Sequence, residues 1–124
     1  AGKRPLSSMS PTMIFDKNGN IHSLTGSPGG TSIIGYVAKS IIGLLDWEMS
    51  PQEAINVPHY MRKKEQTELE KDTELEKIKE ILINKGHEVS IKRKRSGLHV
   101  AKKVDGGYIG GADIRGEGTI IQID

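Results

Sequence analysis

Two short segments in the first third of the chain carry residue types suited to holding a negatively charged group. Leu6-Ser7-Ser8-Met9-Ser10-Pro11-Thr12 places four hydroxyls within six residues. Short hydroxyl side chains donate well to carboxylates, and a few convergent polar groups suffice to orient a small ligand. Gly26-Ser27-Pro28-Gly29-Gly30 follows, between a short alternating apolar run and a long aliphatic one. Glycine lets a ligand approach the backbone without a Cβ in the way. Amides at a helix start have no intrahelical acceptor and lie at the positive end of the helix dipole. Together these make the loop a candidate anion or oxyanion site. Each segment also has a plainer reading, a serine-rich arm that solvates itself and an ordinary strand-to-helix turn. The glycine spacing does not fit a dinucleotide fingerprint, and the absence of Gly-Lys-Ser/Thr excludes a Walker loop.

Other chemistries find little support. The chain has no cysteine, which removes disulfides, thiolate catalysis and Cys-based zinc sites. His22, His59, His87 and His99 are scattered without an i, i+4 pair, so no metal site is expected and the histidines read as surface or hydrogen-bonded groups. Lys92-Arg93-Lys94-Arg95 is the one basic cluster. It could touch phosphates, giving an alternative of another class, a nucleic-acid or protein-binding module. It lacks the interleaved aromatics that stack bases, and a solvated strand edge guarded by lysines is the preferred reading. The net charge of +2, from 18 basic and 16 acidic residues, gives no electrostatic case for nucleic acid. Asp113 and Arg115, set among glycines, read as a structural ion pair or a turn-fixing carboxylate rather than an acid/base couple.

The elements that must position these groups are legible in outline. Met13-Ile14-Phe15 and residues 21–25 form a hairpin across Asp16-Lys17-Asn18-Gly19-Asn20, whose Asn-Gly pair is a strong hairpin signal. After the glycine loop, Thr31 or Ser32 is placed to cap a helix. Ile33, Ile34, Val37, Ala38, Ile41, Ile42, Leu44 and Leu45 cover more than one face of it, which predicts a largely buried helix ending about Asp46. Ser50-Pro51-Gln52-Glu53 is a capping box with proline at the first helical position, opening a short helix stopped by Pro58. A third helix is expected over residues 73–85, with Leu75, Ile78, Ile81 and Leu82 on its apolar side and Gly86 as its left-handed cap. The charge-dense run 62–79 reads as a water-facing helix surface. Strands are expected around Val89 and Ile91, over 99–104 with a turn at Asp105-Gly106-Gly107, and over 119–123.

A length of 124 residues, with 35% hydrophobic and 4% aromatic residues, makes one small unit with a lean aliphatic core. No apolar run approaches the roughly 20 residues of a membrane span. Ala1-Gly2-Lys3-Arg4-Pro5 is basic, but no apolar stretch follows it as in a signal peptide.

Taken in order, Arg4-Pro5-Leu6-Ser7-Ser8-Met9-Ser10-Pro11-Thr12 and Thr25-Gly26-Ser27-Pro28-Gly29-Gly30 closely resemble the γ-glutamyltransferase family of N-terminal nucleophile hydrolases. The likeness continues through the aliphatic helix and Glu53-Ala54-Ile55. It resumes at Lys85-Gly86-His87-Glu88-Val89, Ser96-Gly97-Leu98-His99 and Gly110-Gly111-Ala112-Asp113 with Arg115. His59 after Val57-Pro58, where arginine is usual, and Ile114, where proline is common, depart from the pattern locally.

The resemblance implies an α+β fold, part of a four-layer αββα sandwich, with residues 1–124 forming the C-terminal part of the small subunit. It implies that Ser7 and Ser8 hold the α-carboxylate of a γ-glutamyl donor and that the Gly29 and Gly30 backbone amides form the oxyanion hole. An N-terminal threonine freed by self-cleavage would make the acyl-enzyme, which water or an amino-acid or peptide amine then resolves. Glutathione is the usual donor, and neither metal nor organic cofactor is required. An N-terminal nucleophile must be Thr, Ser or Cys at the first position, and residue 1 is alanine. The chain is therefore expected to be a fragment, inactive alone, whose partners are the upstream segment and large subunit of the same precursor. An acylase acting on glutaryl side chains of β-lactams is the sibling alternative. A periplasmic or secreted location is expected if the protein follows the family's bacterial members.

Overall fold

The computed structural model describes residues 1–121. They divide into two compact units, one comprising Ala1–Asn56 with the chain from Ser96 onward, the other Val57–Arg95.

The first unit is built on an antiparallel sheet of order β1-β2-β6-β7, formed by Thr12–Phe15, Ile21–Gly26, His99–Val104 and Gly107–Ala112 respectively. The β1–β2 hairpin forms as expected, in a register that pairs Met13 with Leu24 and Ile14 with Ser23. Its turn uses the Asn-Gly pair at a different place from a two-residue loop. The Gly19 N–H closes on the Asp16 carbonyl at 3.0 Å, Gly19 takes φ 82°, and a register shift follows Ile14. Asp16 Oδ1 accepts from the Asn18 and Asn20 amides at 2.8 and 2.9 Å, the local bonding that makes aspartate a turn residue. β6 covers the expected residues 99–104. β7, in the glycine-rich tail, carries too few β-forming side chains to be read as a strand and is held by its full antiparallel pairing with β6.

Helices α1, Ile33–Leu45, and α2, Pro51–Asn56, cover the sheet face that carries Thr25, Val100 and Gly111. Thr25 Oγ1 and Ser40 Oγ lie 3.0 Å apart between β2 and α1. Gly111 faces α2 so closely that a Cβ would fall 2.7 Å from Ile55 Cδ1 and from the Pro51 carbonyl carbon. The two helices also meet closely: a Cβ on Gly43 would fall 2.9 Å from Ala54 Cβ. The capping box at α2 is realised, with the Ser50 N–H donating to Glu53 Oε2 at 2.9 Å and the Glu53 N–H to Ser50 Oγ at 3.4 Å.

Two expectations for α1 are corrected. Neither Thr31 nor Ser32 caps it through a side chain; the chain enters by a 3₁₀ turn over Gly30–Ser32, and Ser32 makes no side-chain cap bond. Nor is the helix buried all round. Ile33, Tyr36, Val37 and Leu44 are buried, while Ile34, Ile42 and Leu45 are 58%, 42% and 45% exposed.

The second unit contains a sheet of order β3-β4-β5, formed by Tyr60–Lys63, Gln66–Glu70 and Glu88–Lys92. The charge-dense run 62–79 is thus no helix surface in its first half. It makes most of the β3–β4 hairpin, and Glu68, Leu69 and Glu70 are buried. Alternating charges mimic a solvated helix, but here the carboxylates turn inward because partners meet them. Glu68 accepts from Lys92 Nζ at 2.7 Å and from the buried Lys94 Nζ at 2.6 Å, and Glu70 Oε2 accepts the His59 N–H at 2.6 Å. The expected third helix is split into a 3₁₀ turn over Glu74–Ile78, capped by Thr73, and α3, Lys79–Asn84. It ends as expected at Gly86, φ 86°. The Gly86 N–H reaches the Ile83 carbonyl at 2.8 Å and the His87 N–H the Leu82 carbonyl at 3.1 Å, a Schellman pair. Of the strand expected over 119–123, residues 119–121 are irregular, and 122 and 123 lie outside the described residues.

Candidate functional site

The serine arm and the glycine loop, distant by some twenty positions in the chain, meet in the first unit. The Ser8 N–H donates to the Gly30 carbonyl at 3.1 Å. The arm holds its own shape locally, with Ser10 Oγ donating to the Ser8 carbonyl at 2.8 Å and Thr12 Oγ1 to the Ser10 carbonyl at 3.2 Å. Ser7 is exposed and Ser8 half-buried, and it is the Ser8 backbone that touches the loop.

The loop's conformation requires its glycines. Gly29 takes φ 138°, ψ 13° and Gly30 φ 60°, values that side-chain-bearing residues rarely adopt. A Cβ on Gly29 would also fall 2.7 Å from Tyr36 Cε2. A ψ near zero holds the nitrogens of residues 29 and 30 on the same side of the Gly29 Cα–C bond. Among the described residues neither amide has a protein acceptor. Two neighbouring N–H groups ahead of a thirteen-residue helix are well suited to a negatively charged oxygen.

Behind the loop lies a buried polar cluster. Asp113, 1% exposed, accepts from Ser96 Oγ at 2.5 Å, the Leu98 N–H at 3.1 Å, the Arg115 N–H at 3.0 Å and Arg115 Nη1 at 3.1 Å. Burial works to raise its pKa, but the Ser96 hydroxyl, the two amides and the guanidinium outweigh it and hold the carboxyl below its ordinary value. Arg115 reaches on to the Ile55 carbonyl at 3.2 Å. This is the structural ion pair expected from the sequence: every donor facing Asp113 stabilises its charged form, which leaves it poorly suited to proton transfer. The Ser96-Gly97-Leu98 loop is the member that sequence reasoning did not connect to the site. Its Gly97 N–H donates to Ser27 Oγ at 3.2 Å.

The remaining candidates lie elsewhere. Lys92 and Lys94 of the basic cluster are engaged by Glu68 in the second unit, which accounts for half of the cluster by pairing. His22 Nδ1 lies 3.1 Å from Ser23 Oγ, and His99 Nδ1 lies 3.1 Å from the Gly97 carbonyl. No group of three or more His, Asp or Glu side chains able to hold a metal occurs among the described residues, and none of their helices is long and apolar enough to cross a membrane.

Comparison with known proteins converges on one family. The family model described as Gamma-glutamyltranspeptidase matches residues 1–123. The glutathione hydrolase proenzyme of Escherichia coli (strain K12) is 38% identical over 92 residues, covering 73% of this chain and 16% of that protein. The Acylase ACY 1 proenzyme of Pseudomonas sp. (strain SE83) is 35% identical over 124 residues, covering 98% of this chain and 22% of that protein. Among solved structures, a mutant of Helicobacter pylori gamma-glutamyltranspeptidase superposes with a TM-score of 0.81 at 30% identity, over 94% of this chain and 65% of that one. The Bacillus anthracis transpeptidase CapD superposes with a TM-score of 0.79 at 28% identity, over 98% and 75%. The chain thus spans about a fifth of the length of these curated relatives.

Proposed function

The chain belongs to the gamma-glutamyltranspeptidase family, and on that premise we propose that it supplies the donor-carboxylate and oxyanion groups of an enzyme that cleaves γ-glutamyl amides through an acyl-enzyme. The observation that carries this reading is the junction of the two motifs. The Ser8 N–H bonded to the Gly30 carbonyl sets the hydroxyl arm against two neighbouring amides that have no protein acceptor among the described residues.

In the proposed reaction a threonine outside residues 1–124 attacks the γ-carbonyl carbon. The carbonyl oxygen gains negative charge as the tetrahedral intermediate forms, and the Gly29 and Gly30 amides donate to it. Collapse breaks the C–N bond and expels the amine, which carries away the proton that the threonine hydroxyl gave up through its base. Water or an amino-acid or peptide amine then takes the glutamyl group and frees the threonine hydroxyl, reprotonated by the same base. Ser7 and Ser8 donate to the donor's α-carboxylate, which sets the distance between that anchor and the scissile carbonyl. Glutathione is the donor class assigned, with no metal or organic cofactor.

The acylase match, over 98% of this chain and 22% of that protein, supports a second reading, which we take to be a glutaryl acylase. A glutaryl group differs from a γ-glutamyl group by lacking the α-amino group and keeps the carboxylate. The two serines serve both donors, and the choice is made by whatever meets the amine. The test is hydrolysis of γ-glutamyl and glutaryl anilides by the complete precursor after self-cleavage. Faster cleavage of the γ-glutamyl compound supports the first reading, a preference for glutaryl the second, and no cleavage of either removes both.

The proposed partner is the large subunit of the same precursor. The sheet face opposite α1 and α2 carries Met13, Leu24, Ala101 and Gly110 around a concavity of about 640 Å³, and Met13 is 66% exposed. An apolar sheet face is suited to burial against another layer.

A further inference from the structure

We propose that Ser27 is a positioning residue that aims the Gly29 amide at the reacting oxygen, held in place by Gly97 and through it by the Asp113 cluster; this rests on the oxyanion reading above. In a trans peptide the carbonyl and the following N–H share a plane and point in opposite directions. No described peptide bond is cis. Whatever holds the Pro28 carbonyl therefore aims the Gly29 N–H. Ser27 Oγ donates to that carbonyl at 2.7 Å. The same oxygen accepts the Gly97 N–H at 3.2 Å, so its rotor is fixed from two sides.

The Gly30 amide is aimed in the same manner, by the Ser32 N–H on the Gly29 carbonyl at 3.1 Å. That bond is backbone to backbone within the 3₁₀ turn and needs no particular side chain. Of the two amides, the one at Gly29 depends on side-chain chemistry.

Packing provides a second tie. Gly97 lies so close to Pro28 that a Cβ there would fall 2.8 Å from Cγ and 3.0 Å from Cδ. The residues on either side of Gly97 are anchored, since Ser96 Oγ and the Leu98 N–H both donate to Asp113 Oδ2. A line of contacts thus runs from the buried Asp113–Arg115 pair through Gly97 to the peptide plane of the proposed oxyanion donor.

The experiment compares Ser27→Ala, Ser27→Thr and Gly97→Ala in the self-cleaved complete enzyme, with kcat and KM for a γ-glutamyl anilide and the unfolding temperature of each variant. Because a donor is misdirected rather than deleted, Ser27→Ala should lower kcat by about tenfold or more, short of the 10²–10³ of a lost donor. KM and unfolding temperature should stay near the parent values. Ser27→Thr, which keeps the hydroxyl, should restore most of kcat. Gly97→Ala, which keeps every hydrogen-bonding group but pushes on Pro28, should lower kcat as Ser27→Ala does. Parent-like kcat in Ser27→Ala, or a loss that threonine does not rescue, overturns the role of Ser27; parent-like kcat in Gly97→Ala overturns the packing tie between Gly97 and Pro28. Gly30→Pro separates this failure from that of the underlying reading. A large loss there beside an unaffected Ser27→Ala sinks the positioning role alone, whereas full activity in both sinks the oxyanion assignment itself.

Discussion

At the scale of single residues, the proposed site divides its work between side-chain hydroxyls and backbone amides, and each part has its own test. Replacing Ser7 and Ser8 with alanine in the complete enzyme should cost about 1.5–3 kcal/mol of transition-state stabilisation for each bond lost to the charged carboxylate. The loss should be shared by γ-glutamyl and glutaryl anilides and absent for a 4-aminobutanoyl anilide, which has no carboxylate. Equal losses for all three donors would make the serines structural. Gly30→Pro deletes an amide donor and, because proline cannot adopt the φ of 60° at this position, also shifts the loop. Turnover should fall by about 10²–10³-fold or more, with circular dichroism confirming that the variant folds.

Among the elements, the glycines of β7 and the carboxylates of β4 decide stability. Gly111→Ala places a methyl group against the Pro51 carbonyl carbon, the Gln52 nitrogen and Ile55 Cδ1, all within 2.9 Å. Two of those atoms are backbone that cannot swing aside, so α2 must lift from β7. The cost should be about 1–3 kcal/mol, read from denaturant midpoints. In the second unit, burial works to raise the Glu68 pKa. Hydrogen bonds from Lys92 and Lys94, and their charges, outweigh it and hold the carboxyl at about 2 against an ordinary 4.5. A folded-state pKa below the unfolded one stabilises the fold above the unfolded value. That contribution is lost as pH falls from about 4.5 toward 2. Glu68→Gln should flatten this part of the stability–pH curve. It should also cost about 3 kcal/mol near neutral pH, because the buried Lys94 ammonium loses its carboxylate. Asp113 acts with the same sign in the first unit.

For the whole molecule, the expected outcome is that residues 1–124 alone release no product from a γ-glutamyl anilide above the buffer rate. Acyl transfer needs nucleophile, base and oxyanion site in one geometry, and only the last is proposed for these residues. Internal hydroxyls such as Thr12, Thr25 and Thr31 have no free α-amino group to serve as base. Turnover by the purified chain, surviving removal of contaminating enzyme, would relocate the chemistry to these residues. Addition of the upstream segment and large subunit should restore activity, with the apolar face around Met13 and Leu24 becoming protected from solvent as they bind.

Local chemistry makes much of the molecule legible in its sequence. The β1–β2 hairpin, the Ser50–Glu53 box and the Gly86 cap are each specified within a few residues by turn and cap groups. The family pattern followed the motifs at residues 4–12 and 25–30. What local reading lost were features set by distant partners. Gly107–Ala112 is a strand because β6 pairs with it, and Glu68 is buried because Lys92 and Lys94, some 25 positions on, neutralise it. The 3₁₀ entry to α1 likewise replaced the expected hydroxyl cap, because Gly29 and Gly30 turn the chain there. The meeting of Ser8 with Gly30, and of Gly97 with Ser27, is the same kind of fact. Residue type identifies what a hydroxyl or an amide can hold, but only tertiary packing brings two of them to one place. A hydrogen bond depends on a few ångströms of separation, and separation along the chain does not specify separation in space.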